Sequence, residues 1–200
     1  MNKKKYVIRQ KPIPYMLVKN YFSEDDMEQM LKELRFLTPK MKFADGVNLD
    51  KDHKKNTQIN LDNLYENRET SNILNTMNKI YDDGELINNL KIASWFYEAW
   101  GYTNTDNTFV AYYEDSDYYK AHRDIAVISM MYWLWEEPKS FEGGNIHLTD
   151  YDIEIPIERN QLMIMPSSLN HAVDPIKMIK QTDKLSGMGR YCIVRFLKLK

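Results

Sequence analysis

The sequence predicts an α+β domain, with a β-sandwich or barrel in the C-terminal half and N-terminal helices packed on one of its sheets. Two observations carry that prediction. From Asn107 onward, short runs rich in β-branched and aromatic residues ("TFVAYY", "IAVISMMYWLW", "NIHLTD", "YDIEIPI", "QLMIMP", "YCIVRFLKL") alternate with turn residues at fairly regular spacing. Before them, apolar residues recur at helical spacing. Two hundred residues with 43% hydrophobic content suffice for one such domain, and no repeat or low-complexity linker divides the chain. The expected division is helical support over 1–106 and a β core over 107–200.

The helical half reads in three segments. Ser23 caps "EDDMEQMLKELRFL", where Met27, Met30, Leu31 and Leu34 share one face and acids fill the first turn. A second helix fits "SNILNTMNKIY". A third fits "ELINNLKIASWFYEAW", with Leu86, Leu90, Ala93 and Tyr97 on one mostly apolar face and Gly101 as the stop. Between the first two lies a polar, weakly patterned stretch, 38–70, expected to be a lid-like loop because ordinary connections are shorter.

Composition narrows the function classes. A net charge of −2 and a pI near 6.1 give no basic footprint for nucleic acid or anionic membrane. Cys192 is the sole cysteine, so no intramolecular disulfide and no cysteine-rich zinc site can form, which fits a reducing compartment. The basic "MNKKKYVIRQKPIPYML" start leads into no apolar segment of the kind a secretory signal needs. The longest near-apolar run, 125 to 135, covers 11 residues, against the ~20 of a membrane span. The expectation is a soluble cytoplasmic protein.

The chemistry centres on "YYKAHRDIAV". Strand side chains alternate faces, so His122 and Asp124 point together while Arg123 points away. One rigid element can thus supply two adjacent metal ligands, a weak signal on its own. Further on, "PSSLNHAVDP" carries His171 between two strands, and in a double-stranded β-helix such distant strand ends can meet at one mouth. Two histidines and a carboxylate would then occupy one face of an octahedron and leave three positions open, the arrangement of non-heme Fe(II) oxygenases. A catalytic zinc with two histidines, one aspartate and water is the competing centre. Of the other histidines, His53 is expected to be solvated in the polar loop and His147 to pack or lie at the surface of its strand.

These residues resemble the Fe(II)/2-oxoglutarate-dependent dioxygenases, in their prolyl 4-hydroxylase-like branch. The resemblance runs from about Thr108 to the C-terminus. It is carried by "YEDSDYYKAHRD", by "FEGGNIHL" as the family's double-glycine hairpin at Gly143 and Gly144, by "QLMIMPSSLNHAVDPI" leading to the distal histidine, and by "GMGRYCIVRF" as the closing strand. It departs from the branch in three places. Eighteen residues separate His171 from Arg190, so "KMIKQTDKLSGMG" should loop out; "WLW" (Trp133 to Trp135) replaces a Tyr-Leu-Asn; and Asn160 stands at a usual turn glycine.

The resemblance implies a double-stranded β-helix (jelly-roll) core, with His122, Asp124 and His171 as Fe(II) ligands. It implies Arg190 as the anchor for the distal carboxylate of 2-oxoglutarate, with a hydroxyl contact from Tyr113. A buried dicarboxylate needs a permanently charged partner, and a guanidinium offers a two-pronged one. Arg195 is the rival anchor, but it lies an odd number of positions from Arg190 and so faces the opposite side of a regular strand; Lys177, Lys180 and Lys184 are poorly placed. Tyr118 and Tyr119 are expected in the core, with a pocket wall as the alternative. The implied reaction uses O2, releases succinate and CO2, and hydroxylates an unactivated C–H bond with ascorbate as reductant. The implied substrate is a peptide or protein prolyl residue. Hydroxylation of a small molecule such as an amino acid, oxidative demethylation of nucleic acid, and a non-catalytic metal-binding jelly-roll module are the alternatives.

Overall fold

The computed structural model describes residues 3–43 and 53–200. In chain order it runs β1 (Lys5–Arg9), β2 (Tyr15–Lys19), α1 (Glu24–Leu37), β3 (Lys42–Phe43), β4 (Lys54–Lys55), β5 (Thr57–Asn60), α2 (Leu61–Leu64), α3 (Asn72–Asn78) and α4 (Gly84–Ala93). The β core follows as β6 (Thr105–Tyr113), β7 (Tyr118–His122), β8 (Ile128–Leu134), β9 (Phe141–Gly143), β10 (Ile146–Leu148) and β11 (Ile153–Ile155). It closes with β12 (Gln161–Pro166), β13 (His171–Val173), β14 (Ile176–Met178) and β15 (Arg190–Lys198).

Eight strands form a major sheet in the order β1-β2-β12-β8-β15-β6-β5-β3, and five form a minor sheet, β11-β10-β13-β7-β4. Strands β14 and β9 pair with each other. The result is the sandwich expected from the strand pattern, in the jelly-roll form that the resemblance implies.

The major sheet is apolar on both faces, which is why its central strands read as continuous apolar runs rather than alternating ones. On β8, Met130, Tyr132 and Leu134 pack toward the helices with Met27, Leu34, Leu74 and Leu90. Met131 and Trp133, between them, pack toward the minor sheet with Ile146 and Leu148, and toward β9 with Phe141. The same alternation splits β15: Tyr191, Ile193 and Leu197 meet the helices, Cys192 and Val194 the barrel interior.

Helix α1 starts where its cap predicts. The Ser23 hydroxyl accepts from the Asp26 backbone N–H at 3.1 Å, and the Asp26 side chain returns to the Ser23 N–H. The third helix ends early. Ser94 is extended (φ −169°, ψ 145°), so α4 stops at Ala93, and the stretch to Tyr102 is a separate 3-10 segment rather than a continuation to Gly101. Its expected face survives the break, since Leu86, Leu90, Ala93 and Tyr97 are all buried.

Other expectations change. The N-terminal half is not purely helical: β1 and β2 form a hairpin that extends the major sheet through β12. The stretch 38–70 is not one open loop. Among its described residues β5 pairs with β6, β3 pairs with β5, and β4 pairs with β7; residues 44–52 lie outside the described ones. The run 125–135 becomes strand only at Ile128, and Ile125 is 94% exposed.

The double glycine is not a hairpin turn, because β9 pairs with β14 while β10 pairs with β11 and β13. It is a crossover between sheets. A Cβ on Gly143 (φ +74°) would sit 2.4 Å from the Pro175 carbonyl oxygen, so only glycine fits there. The segment after His171 is only partly looped out, since β14 pairs with β9 before residues 179–189 return to β15. Asn160 takes the positive φ of its turn (61°), as expected of asparagine in a glycine position.

Candidate metal centre and its pocket

His122 ends β7, Asp124 follows two residues later, and His171 opens β13, the strand that pairs with β7 in a register setting His171 opposite His122. Antiparallel pairing therefore brings together two histidines that are distant in sequence. The Asp124 carboxylate reaches both rings: Oδ1 lies 3.6 Å from His122 Nε2 and Oδ2 lies 3.8 Å from His171 Nε2. One ligand atom from each residue falls within 4.8 Å of the others, a spacing a single metal ion can bridge.

The surrounding hydrogen bonds orient the three groups. His122 Nδ1 lies 2.9 Å from the Lys120 carbonyl and His171 Nδ1 lies 3.0 Å from the Leu169 carbonyl. A carbonyl only accepts, so each Nδ1 donates and each Nε2 lone pair is left for the centre. Ser129 Oγ donates to Asp124 Oδ2 at 2.6 Å and shares a 2.8 Å contact with Ser167 Oγ. Burial, and then the neighbouring His171, push the His122 pKa down to about 3, so the ring is neutral and available as a ligand. Burial pushes the Asp124 carboxyl above its usual range, a cost that a bound cation would reverse. Tyr119 stacks on His122 with ring centroids 3.5 Å apart at 14°. It lines the pocket, the alternative to the core placement expected of it.

Behind the triad a cavity of about 430 Å³ opens between the sheets, lined deep inside by Tyr113, Arg190 and Cys192. Arg190 opens β15 directly opposite Tyr113 on β6, and its guanidinium lies 4.1 Å from that ring's centroid. It is 0% exposed. Its Nη1 donates to the Gly144 carbonyl at 2.5 Å, while Nε and Nη2 have no partner among the described residues. A buried guanidinium with two unpaired donors is costly by itself and fits an anionic ligand. Arg195 faces the other way, as its odd separation requires: it bonds Thr108 Oγ1 at 2.8 Å and Asn78 Oδ1 at 2.8 Å among the helices. The donors, the triad and the space between them thus suit a metal and a dicarboxylate together.

The remaining histidines separate. His147 contacts Asp152 at 3.1 Å outside the pocket lining, as expected of a surface residue. His53 is not simply solvated; its ring lies 5.7 Å from Tyr119 and 6.5 Å from His122, because β4 pairs with β7. Residues given no role in the sequence also line the cavity: Asn56 just before β5, Gln58 and Asn60 along it, and Ile125 beside the triad. The signal for the first three was the alternation N-x-Q-x-N, hidden inside a stretch that reads as polar loop.

Residues 108–198 match the family described as the 2OG-Fe(II) oxygenase superfamily. No curated protein sequence matches the chain. Among solved structures, a prolyl-4-hydroxylase from Pseudomonas putida aligns with a TM-score of 0.65 at 13% identity, covering 94% of each chain. A prolyl hydroxylase from Trichoplax adhaerens, in complex with a peptide fragment of a hypoxia inducible factor oxygen degradation domain, aligns at 0.64 and 15% identity, over 92% of this chain and 83% of that one. The viral collagen prolyl hydroxylase of Paramecium Bursaria Chlorella virus-1, as its 2OG complex, aligns at 0.56 and 15% identity, over 92% and 94%. At these identities the likeness is one of fold. Among the described residues no helix is long and apolar enough to cross a membrane.

Proposed function

We propose, from the match of residues 108–198 to the 2OG-Fe(II) oxygenase superfamily, that this chain is such an oxygenase and hydroxylates an unactivated C–H bond of a prolyl residue in a peptide or protein. The observation that carries the reading is the pair of unpartnered donors on fully buried Arg190, in the cavity that also holds the His122–Asp124–His171 cluster. In this reading the two Nε2 atoms and the Asp124 carboxylate hold Fe(II). Arg190 Nε and Nη2 take the distal carboxylate of 2-oxoglutarate as a two-pronged pair, with Tyr113 beside it.

When bound, iron and 2-oxoglutarate supply the oxidising power: O2 is consumed, succinate and CO2 leave, and one oxygen atom enters the substrate as hydroxyl. The protein's part is placement. The Lys120 and Leu169 carbonyls hold both imidazoles in one tautomer, and Ser129 fixes the Asp124 carboxylate. The apolar walls, among them Ala111, Met131, Ile146 and Val173, keep water from the cosubstrate's inner end. Nucleic-acid demethylation is less well supported, because Arg195 is turned to the helices and adds no cation to the pocket.

The test is succinate formation from 2-oxoglutarate after anaerobic loading with Fe(II), followed by oxygen and ascorbate, with proline-containing peptides screened for an added oxygen. His122→Ala should lower turnover by more than about a hundredfold. Full activity in that variant would overturn the ligand assignment, and succinate without any oxidised peptide would overturn the substrate class.

A further inference from the structure

The cavity's outer wall is built from one face of three adjacent strands. Register aligns Arg190 with Tyr113, Cys192 with Ala111 and Gln58, and Val194 with Phe109 and Asn60. Continued by one residue beyond Thr57↔Tyr112, the same register sets Asn56 level with Tyr113 and Arg190. The β5 edge of the pocket is therefore a row of side-chain carboxamides, running from the level of the proposed cosubstrate anchor out to the mouth.

The row is not uniform. Asn60 is already engaged, accepting from the Asn63 N–H at 3.1 Å as the cap of α2 and lying 3.4 Å from the Asn107 amide. Asn56 is the opposite case. It lines the cavity, is only 3% exposed, and its Oδ1 has no hydrogen-bond partner among the described residues. Buried polar atoms are nearly always paired, so an unpaired acceptor facing a cavity points to a donor supplied by a ligand.

We infer that Asn56 and Gln58 form a subsite that grips the main chain of an extended peptide substrate as it passes the metal centre. A carboxamide carries an acceptor and a donor in one plane, the complement of a peptide unit's N–H and C=O, and it is neutral. Alternate residues of a strand stand about 6.8 Å apart, which is also the repeat of every second residue in an extended peptide. Two carboxamides so spaced meet successive outward-facing peptide groups of one strand-like ligand, as in strand-addition recognition. At the mouth, Ile125, at 94% exposed, and Phe109 and Phe196, on the same wall as the carboxamides, offer apolar contact for the peptide's side chains. The subsite selects backbone conformation rather than sequence. It rests on the proposed peptide substrate and specifies how that substrate is held.

The test uses protein loaded with Fe(II) and 2-oxoglutarate in the absence of oxygen. A pool of short labelled peptides with a central proline and randomised flanks is presented, and retained peptides are identified by mass spectrometry. Dissociation constants are then measured for one retained peptide and its N-methyl backbone series. In Asn56→Leu and in Gln58→Leu the constant should rise about tenfold, with the melting temperature unchanged and, in Gln58→Leu, 2-oxoglutarate binding unchanged as well. On the unsubstituted protein, N-methylation should weaken binding at two positions two residues apart, each insensitive in the matching variant. A retained peptide that binds both variants as tightly as the parent overturns the subsite and leaves the prolyl reading standing. An N-methyl series without that two-residue spacing does the same, even where a variant fails to fold. Loaded protein that binds 2-oxoglutarate but retains no peptide overturns the peptide reading itself, and the subsite with it.

Discussion

Arg190 and Arg195 lie on one strand and are both 0% exposed, yet their surroundings differ. Arg195 is enclosed by acceptors from Thr108 and Asn78, with the Leu74 carbonyl at 3.5 Å and Asp106 at 4.0 Å. Among the described residues Arg190 has one carbonyl partner and two idle donors, in a residue that lines the cavity. Burial alone says nothing of function, since both side chains are equally buried. What separates a structural cation from a ligand-binding one is whether its hydrogen-bonding capacity is already filled.

The largest effect expected from that difference is on stability. Arg195→Met strands the Asn78, Thr108 and Asp106 acceptors in the interior and should cost roughly 3–5 kcal/mol, read as a lowered denaturation midpoint. Arg190→Met should leave the midpoint unchanged or higher, because it removes donors the protein itself does not satisfy. Its effect belongs to the cosubstrate: the constant for 2-oxoglutarate should rise at least about thirtyfold, about 2 kcal/mol, with metal content unaffected. If the two variants exchange these phenotypes, the assignment of roles is reversed.

A buried acid extends the comparison with opposite charge. Asp117 is nearly inaccessible, and burial raises its pKa to about 6 despite an N–H donor from Glu114 at 2.9 Å and Lys55 at 3.7 Å. A carboxyl whose folded pKa exceeds its unfolded value contributes full stability below about pH 4, lost as pH rises through about 6. Asp117→Asn should therefore stabilise the protein by about 3 kcal/mol at pH 7.5 and by only about half a kcal/mol at pH 4. Melts at the two pH values check this. The smallest effect concerns the groups behind the triad: Ser129→Ala removes the 2.6 Å bond to Asp124 and should weaken Fe(II) affinity about tenfold, measured by anaerobic metal titration.

Much of this was legible in the chain, in a particular way. The α1 cap, the strands of the β core, and the opposed faces of Arg190 and Arg195 all follow from local chemistry and a period of two. The misreadings share a cause as well. β1, β2 and β5 are short; β2 and β5 are held by the distant β12 and β6, and β1 by its hairpin with β2, so their own composition gave little sign of them. α4 breaks at Ser94 although the apolar face continues through Tyr97. The face followed periodicity, but the backbone followed the extended conformation of one residue.

By itself, then, the sequence determined which residue types were available for chemistry and which neighbours along a strand could share a face. His122 with Asp124 needs only short spacing, although β7 ends at His122 and Asp124 lies just beyond the strand. Tertiary structure decided which distant strand ends meet. It set His171 opposite His122, turned the double glycine into a crossover whose Gly144 carbonyl holds Arg190, and converted an apparent loop into the strand that lines the pocket with Asn56 and Gln58. Those outcomes depend on register between strands far apart in sequence. Register is chosen by the burial of whole faces at once, which no local stretch encodes.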